Sequence, residues 1–348
     1  MAVLQVPAVL ATDRKSPEGD GPPGSRPAGI PAGEFAGEHE PVLVRELVEG
    51  LAGVFEESQR GLFVDGTLGA AGHASAVLAR FPKLELLGFD HDEDSLALAE
   101  RQLAPFGGRV RTRRARLSEL SERLAGEEAP QLALVDLGVC SIHLDRADRG
   151  FSFASDGPLD MRMDRRRETT AADILATWDE QRLADLIYHE GGERRSRPIA
   201  RAICEARRRA PFLRTAALAD LISRTVTGKG GPGGGPIHPA TKTFQALRRA
   251  VNQEGAELEQ ALLAFESHLA PGGVLAVISF HSGEDGVVKR FLKRAQQTGT
   301  FEALTRKPLG PARDEVRRNA RSRSARLRLA RRTDQRVDVE GQARGLEQ

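Results

Sequence analysis

Apolar residues along this chain gather in short uninterrupted runs, Leu62–Asp65, Leu84–Asp90, Gln131–Asp136 and Val274–Phe280, each bounded by Gly, Pro or Asp. Runs of that length that do not alternate with polar residues suit strands covered on both faces. Helix-period patterns follow at Ala74–Arg80, Asp94–Leu103 and Gly286–Arg294. The alternation predicts an α/β fold on a doubly wound, Rossmann-like parallel sheet. From about Asp145 to Ala240 the rhythm gives way to polar, Arg-rich, helix-patterned sequence, for instance Asp179–His189 and Arg197–Arg209. Residues 145–239 are therefore expected to form an inserted helical domain.

Length agrees with this division, because 348 residues exceed the size at which a single core usually stops growing. The expected layout is a sheet domain from 38–144 plus 240–300, the insert at 145–239, a basic segment at 301–332, and disordered tails at 1–37 and 333–348. The first tail holds six Pro and no apolar period. Thr227–Pro239, with six Gly and three Pro, reads as a flexible connection, and its Gly-Lys lacks the upstream Gly of a phosphate-binding loop.

Composition removes whole classes of function. The longest apolar stretches, such as Gly273–Phe280, fall far short of the roughly 18 residues of a membrane span. The N-terminus has a Pro inside its apolar run and no basic residue before Arg14, so no export signal is read. Cys140 and Cys204 stand far apart, which argues against a cysteine zinc site or a disulfide scaffold and suits a reducing cytoplasm. One Trp and one Tyr make a broad stacking surface an unpromising way to bind RNA.

A net charge of +2 conceals blocks of opposite sign. From His39 to Asp160, 13 basic residues face 21 acidic ones, or −8; Glu193–Arg214 carries 8 against 2, or +6; Phe301–Arg332 carries 11 against 3, or +8. Clustered arginine can form a phosphate footprint, although 44 of the 51 basic residues are Arg, and charge runs are often only solvated faces.

In an open α/β sheet, ligands bind beyond the carboxyl ends of the strands. Here the first strand runs into Asp65-Gly66-Thr67-Leu68-Gly69-Ala70-Ala71-Gly72-His73, whose glycines let backbone pass close to a ligand before a helix start. The spacing is not Gly-x-Gly-x-x-Gly, which weakens a nicotinamide oxidoreductase reading. Asp90 ends the second strand, where a carboxylate can accept from ribose hydroxyls, and Asp92 and Asp94 are available to cap the next helix in its place. Leu269-Ala270-Pro271-Gly272-Gly273 before the last long strand looks like the Leu-x-Pro-Gly-Gly turn of class I methyltransferases that use S-adenosylmethionine. A non-enzymatic RNA-binding protein would explain the basic stretches but not the Gly turn paired with Asp90.

The long polar run after the third apolar segment, Asp136-Leu-Gly-Val-Cys-Ser-Ile-His-Leu-Asp, then Arg149-Gly-Phe-Ser-Phe and Asp156-Gly-Pro-Leu-Asp-Met-Arg-Met-Asp164, cannot be core and must shape a pocket. This run resembles the signature of the MraW family of bacterial 16S rRNA (cytosine-N4)-methyltransferases. Further matches are His39-Glu40-Pro41-Val42-Leu43, the Asp65–His73 turn, Ala240–Arg248 with Val251-Asn252-Gln253-Glu254, Ile278–Ser282 with Glu284-Asp285, and Arg321–Arg326. The resemblance covers about residues 38 to 330. It implies a class I methyltransferase with an inserted helical domain. The implied reaction is methyl transfer from S-adenosylmethionine to the exocyclic amine of a cytidine in the decoding centre of 16S rRNA, met as free RNA or within the small ribosomal subunit.

Carried over residue by residue, the resemblance assigns cofactor contacts to Ala71, Gly72, His73, Asp90, Leu117, Asp136 and His143. The family's Gly-Gly-His is Ala71-Gly72-His73 here, its Gln is His143 and one Ser is Cys140. The reaction needs no metal and no covalent intermediate, only alignment of the amine with the methyl carbon. It does need a hydrogen-bond acceptor on the amine N–H. Many amino-methyltransferases place an Asn/Asp-Pro-Pro-Tyr/Phe acceptor after the fourth strand; Asp136-Leu-Gly-Val stands there instead, leaving Asp136 and His281 as candidates. Arg194, Arg195, Arg197 and Arg201 of the insert and Arg321, Arg323 and Arg326 near the C-terminus are the expected RNA contacts.

Overall fold

A computed structural model describes residues 41–138, 146–228 and 238–335. Its sheet has seven strands in the order β3-β2-β1-β4-β5-β7-β6. They are β1 Gly61–Asp65, β2 Leu84–Asp90, β3 Val110–Arg114, β4 Leu132–Asp136, β5 Val274–Ser279, β6 Phe301–Ala303 and β7 Arg326–Arg332. The first five are parallel as expected, but β7 runs antiparallel to both β5 and β6, so the sheet is mixed.

Three strands escape a search for apolar runs. Edge strand β3 (VRTRR) carries no fully buried residue. β6 is three residues long. In β7 (RLRLARR), Leu327 and Leu329 are buried between arginines, of which Arg326 is exposed, Arg328 pairs with Asp285 and Arg332 is itself buried. The 301–332 segment is therefore no separate unit: it supplies two strands of the sheet. The strand is covered on both faces, with Leu327 and Leu329 in the first core, Ala330 in the second, and Arg332 buried with bonds to the Glu266 and Thr300 carbonyls.

Helices cover both sheet faces. Alternate residues Phe63, Leu84, Leu86, Leu132 and Leu134 pack against α1 (Val44–Ala52), α2 (Gly72–Arg80) and α3 (Glu93–Leu103). The opposite residues Leu62, Val64, Leu87, Ala133 and Val135 pack against α4 (Leu120–Leu124) and two later helices, Glu254–His268 and Ser282–Gln297. A third core belongs to the insert, with α5 (Ala171–Thr177), α6 (Glu180–His189), α7 (Ser196–Ala206) and α8 (Thr215–Thr227). The following helix, α9 (Thr241–Asn252), buries Phe244, Leu247 and Val251 in this third core rather than against the sheet. The expected boundary at 239 thus moves to Gln253, a left-handed residue (φ +52°) where α9 meets α10 (Glu254–His268). Helix α11 (Ser282–Gln297) follows β5, and α12 (Arg313–Arg318) precedes β7.

Candidate active site

β1, β2 and β4 are adjacent, and each ends in an aspartate at its carboxyl end. Asp65 pairs in register with Gly88 and Leu134, so Asp90 and Asp136, each two residues further on, project from the same sheet face on either side of it. The pleat itself gathers three carboxylates below the Gly-rich turn.

That turn is held from beneath. Asp65 Oδ1 accepts from Thr67 N (3.0 Å), Asp90 Oδ2 from Gly69 N (2.8 Å), and Thr67 Oγ1 from Asp136 N (2.6 Å). Asp92 caps α3 by accepting from Ser95 N, but Asp90 is only partly at liberty: its Oδ1 accepts from Asp92 N (2.9 Å). A carboxylate offers about four acceptor sites, so two remain on Asp90 for a ligand. Gly66 is closely packed, since a Cβ there would lie 3.1 Å from Leu117 Cδ2.

The turn closes with Ala71 in the left-handed region (φ +63°, ψ +25°) as the N-cap of α2. Pro41 seals Gly72, where a Cβ would come within 2.6 Å of the Pro41 ring. His73 is buried; its Nε2 lies 2.7 Å from Val42 O and its Nδ1 3.4 Å from Asp136 Oδ2.

Beside the turn opens a cleft lined by Thr67, His91, Leu117, Asp136, Met163, Asp164, Asn252 and Glu284, among others. Of the expected cofactor residues, it brings Leu117 and Asp136 together directly. Ala71, Gly72, His73 and Asp90 do not line it; of these, His73 meets the lining residue Asp136, and Asp90 supports the turn through Gly69. His143 lies outside the described residues.

The two acceptor candidates separate. Asp136 lines the cleft, and its Oδ1 is buried with no hydrogen-bond partner among the described residues. His281 does not line it: it is the N-cap of α11, its Nδ1 accepting from Glu284 N (3.2 Å) and its Nε2 lying 2.7 Å from Glu284 Oε1. Glu254, His281 and Glu284 present oxygen and nitrogen atoms within 4.8 Å of one another. Local partners account for both acids, since Arg248 grips Glu254 with two hydrogen bonds and Phe280 N donates to Glu284 Oε2.

Burial dominates the electrostatics of Asp65 and Asp136. It pushes the Asp65 carboxyl up to about 8, with the neighbouring Asp136 and Asp90 adding to the rise. Asp136 is raised for the same reason, His73 working against the change. A loop over two carboxyls held toward their protonated form suits a positively charged ligand, and the unpartnered Asp136 Oδ1 suits a donor placed in the cleft.

The insert reaches this site through residues whose roles the sequence did not disclose. Arg149, 2% exposed, pairs with Asp92 and donates to the carbonyls of Arg162 and Met163. Asp164 is buried between Arg116 and Arg166; burial works to raise its carboxyl, but hydrogen bonds from both arginines hold it well below the usual range. Asn252 receives Met163 N on Oδ1 and donates to Met161 O. Their placement in long polar motifs was the only sequence signal.

A family model described as the MraW methylase family matches residues 36–333. The chain belongs to this family. Members named ribosomal RNA small subunit methyltransferase H are 46% identical in Methylobacterium sp. (strain 4-46), over 85% of this chain and 91% of the relative. In Methylorubrum extorquens the figures are 43%, 88% and 90%, and in Nitrobacter winogradskyi 46%, 85% and 91%. The chain has an α/β, Rossmann-like fold, and as an MraW methylase it uses S-adenosylmethionine. No described helix is long and apolar enough to cross a membrane.

Proposed function

We propose that this MraW methylase transfers a methyl group to the N4 amine of a cytidine in the decoding centre of 16S rRNA, working in the cytoplasm. The relatives' names, which specify small-subunit ribosomal RNA, support the substrate class. The buried, unpartnered Asp136 Oδ1 at the cleft carries the reading of the site.

Ala71, Gly72, His73, Asp90, Leu117, Asp136 and His143 would hold S-adenosylmethionine, which supplies an electrophilic methyl when bound. Asp90 has acceptor capacity left for ribose hydroxyls, and Leu117 offers an apolar side chain to adenine. The lone pair of a cytosine amine is delocalised into the ring, so the protein must draw on its N–H as the new N–C bond forms. Asp136 Oδ1 is the acceptor that accomplishes this, and it takes the proton. A cytidine has to leave its stack to enter the cleft. Arg194, Arg197, Arg321, Arg323 and Arg326 are all exposed and would grip the surrounding phosphates.

The deciding experiment is transfer from labelled S-adenosylmethionine to small subunits lacking the mark and to naked 16S rRNA, followed by mapping of the modified nucleotide. N4-methylcytidine in the decoding centre is expected. A mark on another base or elsewhere in the RNA overturns the reading.

A further inference from the structure

Asp65 is 2% exposed and accepts a hydrogen bond from the backbone amide of Thr67. Adjacent strands lie about 4.8 Å apart, so Asp90 and Asp136 flank it on one sheet face. The other titratable groups nearby are few: His73 of α2, 3.4 Å from Asp136 Oδ2; His91, 3.9 Å from Asp90 Oδ1; and Glu284 of α11, whose charge acts on Asp136. Among the described residues no Arg or Lys is paired with any of the three aspartates. Elsewhere in this protein buried acids are matched by guanidinium groups, as Asp164 and Asp92 are.

We infer that Asp65 and Asp136, beside Asp90, hold a proton in the free protein and release it when the sulfonium form of the cofactor docks, so that the pair senses the charge that distinguishes methyl donor from spent product. Asp65 is almost wholly buried between two other carboxylates with no Arg or Lys partner among the described residues, which favours a retained proton over full ionisation. A sulfonium centre supplies the missing positive charge; the thioether left after transfer does not. Asp65 is then a charge-sensing positioning residue that favours the donor over the product. This inference rests on the S-adenosylmethionine site proposed above.

Linkage makes it measurable without turnover. Calorimetric titrations of the full chain with S-adenosylmethionine and with S-adenosylhomocysteine would run from about pH 5.5 to about pH 7, below the ionisation of the ligands' own ammonium group. Loss of one proton on docking makes donor affinity rise about tenfold per pH unit. The thioether should change less than about twofold per unit, and only the donor's binding heat should vary with the buffer's ionisation enthalpy. Asp65→Asn keeps an acceptor for Thr67 N–H and should flatten the donor's slope to that of the thioether while still binding both. Equal slopes for the two ligands in the wild type, or an unchanged slope in Asp65→Asn, overturn the inference. Binding of neither ligand would overturn the cofactor site itself, whereas binding of both with no slope overturns the charge sensing alone.

Discussion

Arg149 Nη1 lies 3.2 Å from Asp92 Oδ1, with both side chains almost wholly buried, and so joins the segment entering the insert to the turn between β2 and α3. The same guanidinium donates to the carbonyls of Arg162 and Met163, fixing the strand of chain that lines the cleft. Removing one member of a buried pair is costly because the other charge stays behind in low dielectric. Arg149→Met should destabilise the protein by about 3–5 kcal/mol, read by urea unfolding. A loss below about 1 kcal/mol would mean that the pair is solvated.

Ala71 occupies a conformation that suits glycine. A left-handed backbone costs an L-residue about 1–2 kcal/mol, and glycine returns part of that gain through its greater freedom when unfolded. Ala71→Gly should therefore stabilise by about 0.5–1 kcal/mol, a rise of a few degrees in Tm. A lower Tm would show that the Ala71 methyl, which is fully buried, contributes more packing than strain.

Asp90 supports the loop as well as facing the cofactor. Asp90→Ala leaves the Gly69 and Asp92 amides without their acceptor, each worth about 1–3 kcal/mol if it stays dry. Both thermal stability and S-adenosylmethionine affinity should fall. Retention of full affinity in calorimetry would remove Asp90 from the ribose site.

Asp65 gives a pH signature in folding. Unfolded, its carboxyl ionises near pH 4; folded, burial holds the proton up to about pH 8. Folding therefore takes up a proton between those values, and the wild type loses stability as pH rises through that window. Asp65→Asn mimics the protonated form, so its Tm advantage over the wild type should widen from about pH 5 to about pH 8. A constant gap would place the Asp65 carboxyl outside that range.

Arg321 and Arg323 are exposed, whereas Arg326 Nη1 lies 3.4 Å from Asp285 Oδ2. On single-stranded RNA each phosphate contact adds about 0.7 to the slope of log affinity against log salt. Replacing Arg321 and Arg323 with Ala should flatten that slope by up to about 1.4. Arg326→Ala should change it less than Arg323→Ala, because Asp285 already offsets the Arg326 charge. Filter binding across a salt series checks both, and an unchanged slope in the double variant would remove this segment from the RNA interface.

The sequence by itself determined the elements whose two-sided burial is met by apolar residues. Such strands read as apolar runs, so β1, β2, β4 and β5 stand out, and the helices after β1, β2 and β5 stand out by period. It also determined the family, because long motifs rich in Gly, Asp and Arg recur in order from Pro41 to Arg326. Tertiary structure decided what local pattern cannot encode. β7 hides behind its arginines, since Arg328 and Arg332 are accommodated by partners that only the fold brings to them, Asp285 and the Glu266 and Thr300 carbonyls. α9 has an amphipathic pattern that names no partner, and only packing assigns its apolar face to the insert. At the site, Asp136 and His281 were equal candidates as letters. A fold that uses His281 to cap α11 and sets Asp136 in the wall of the cleft separates them, because position at a cleft belongs to three-dimensional neighbours and not to positions along the chain.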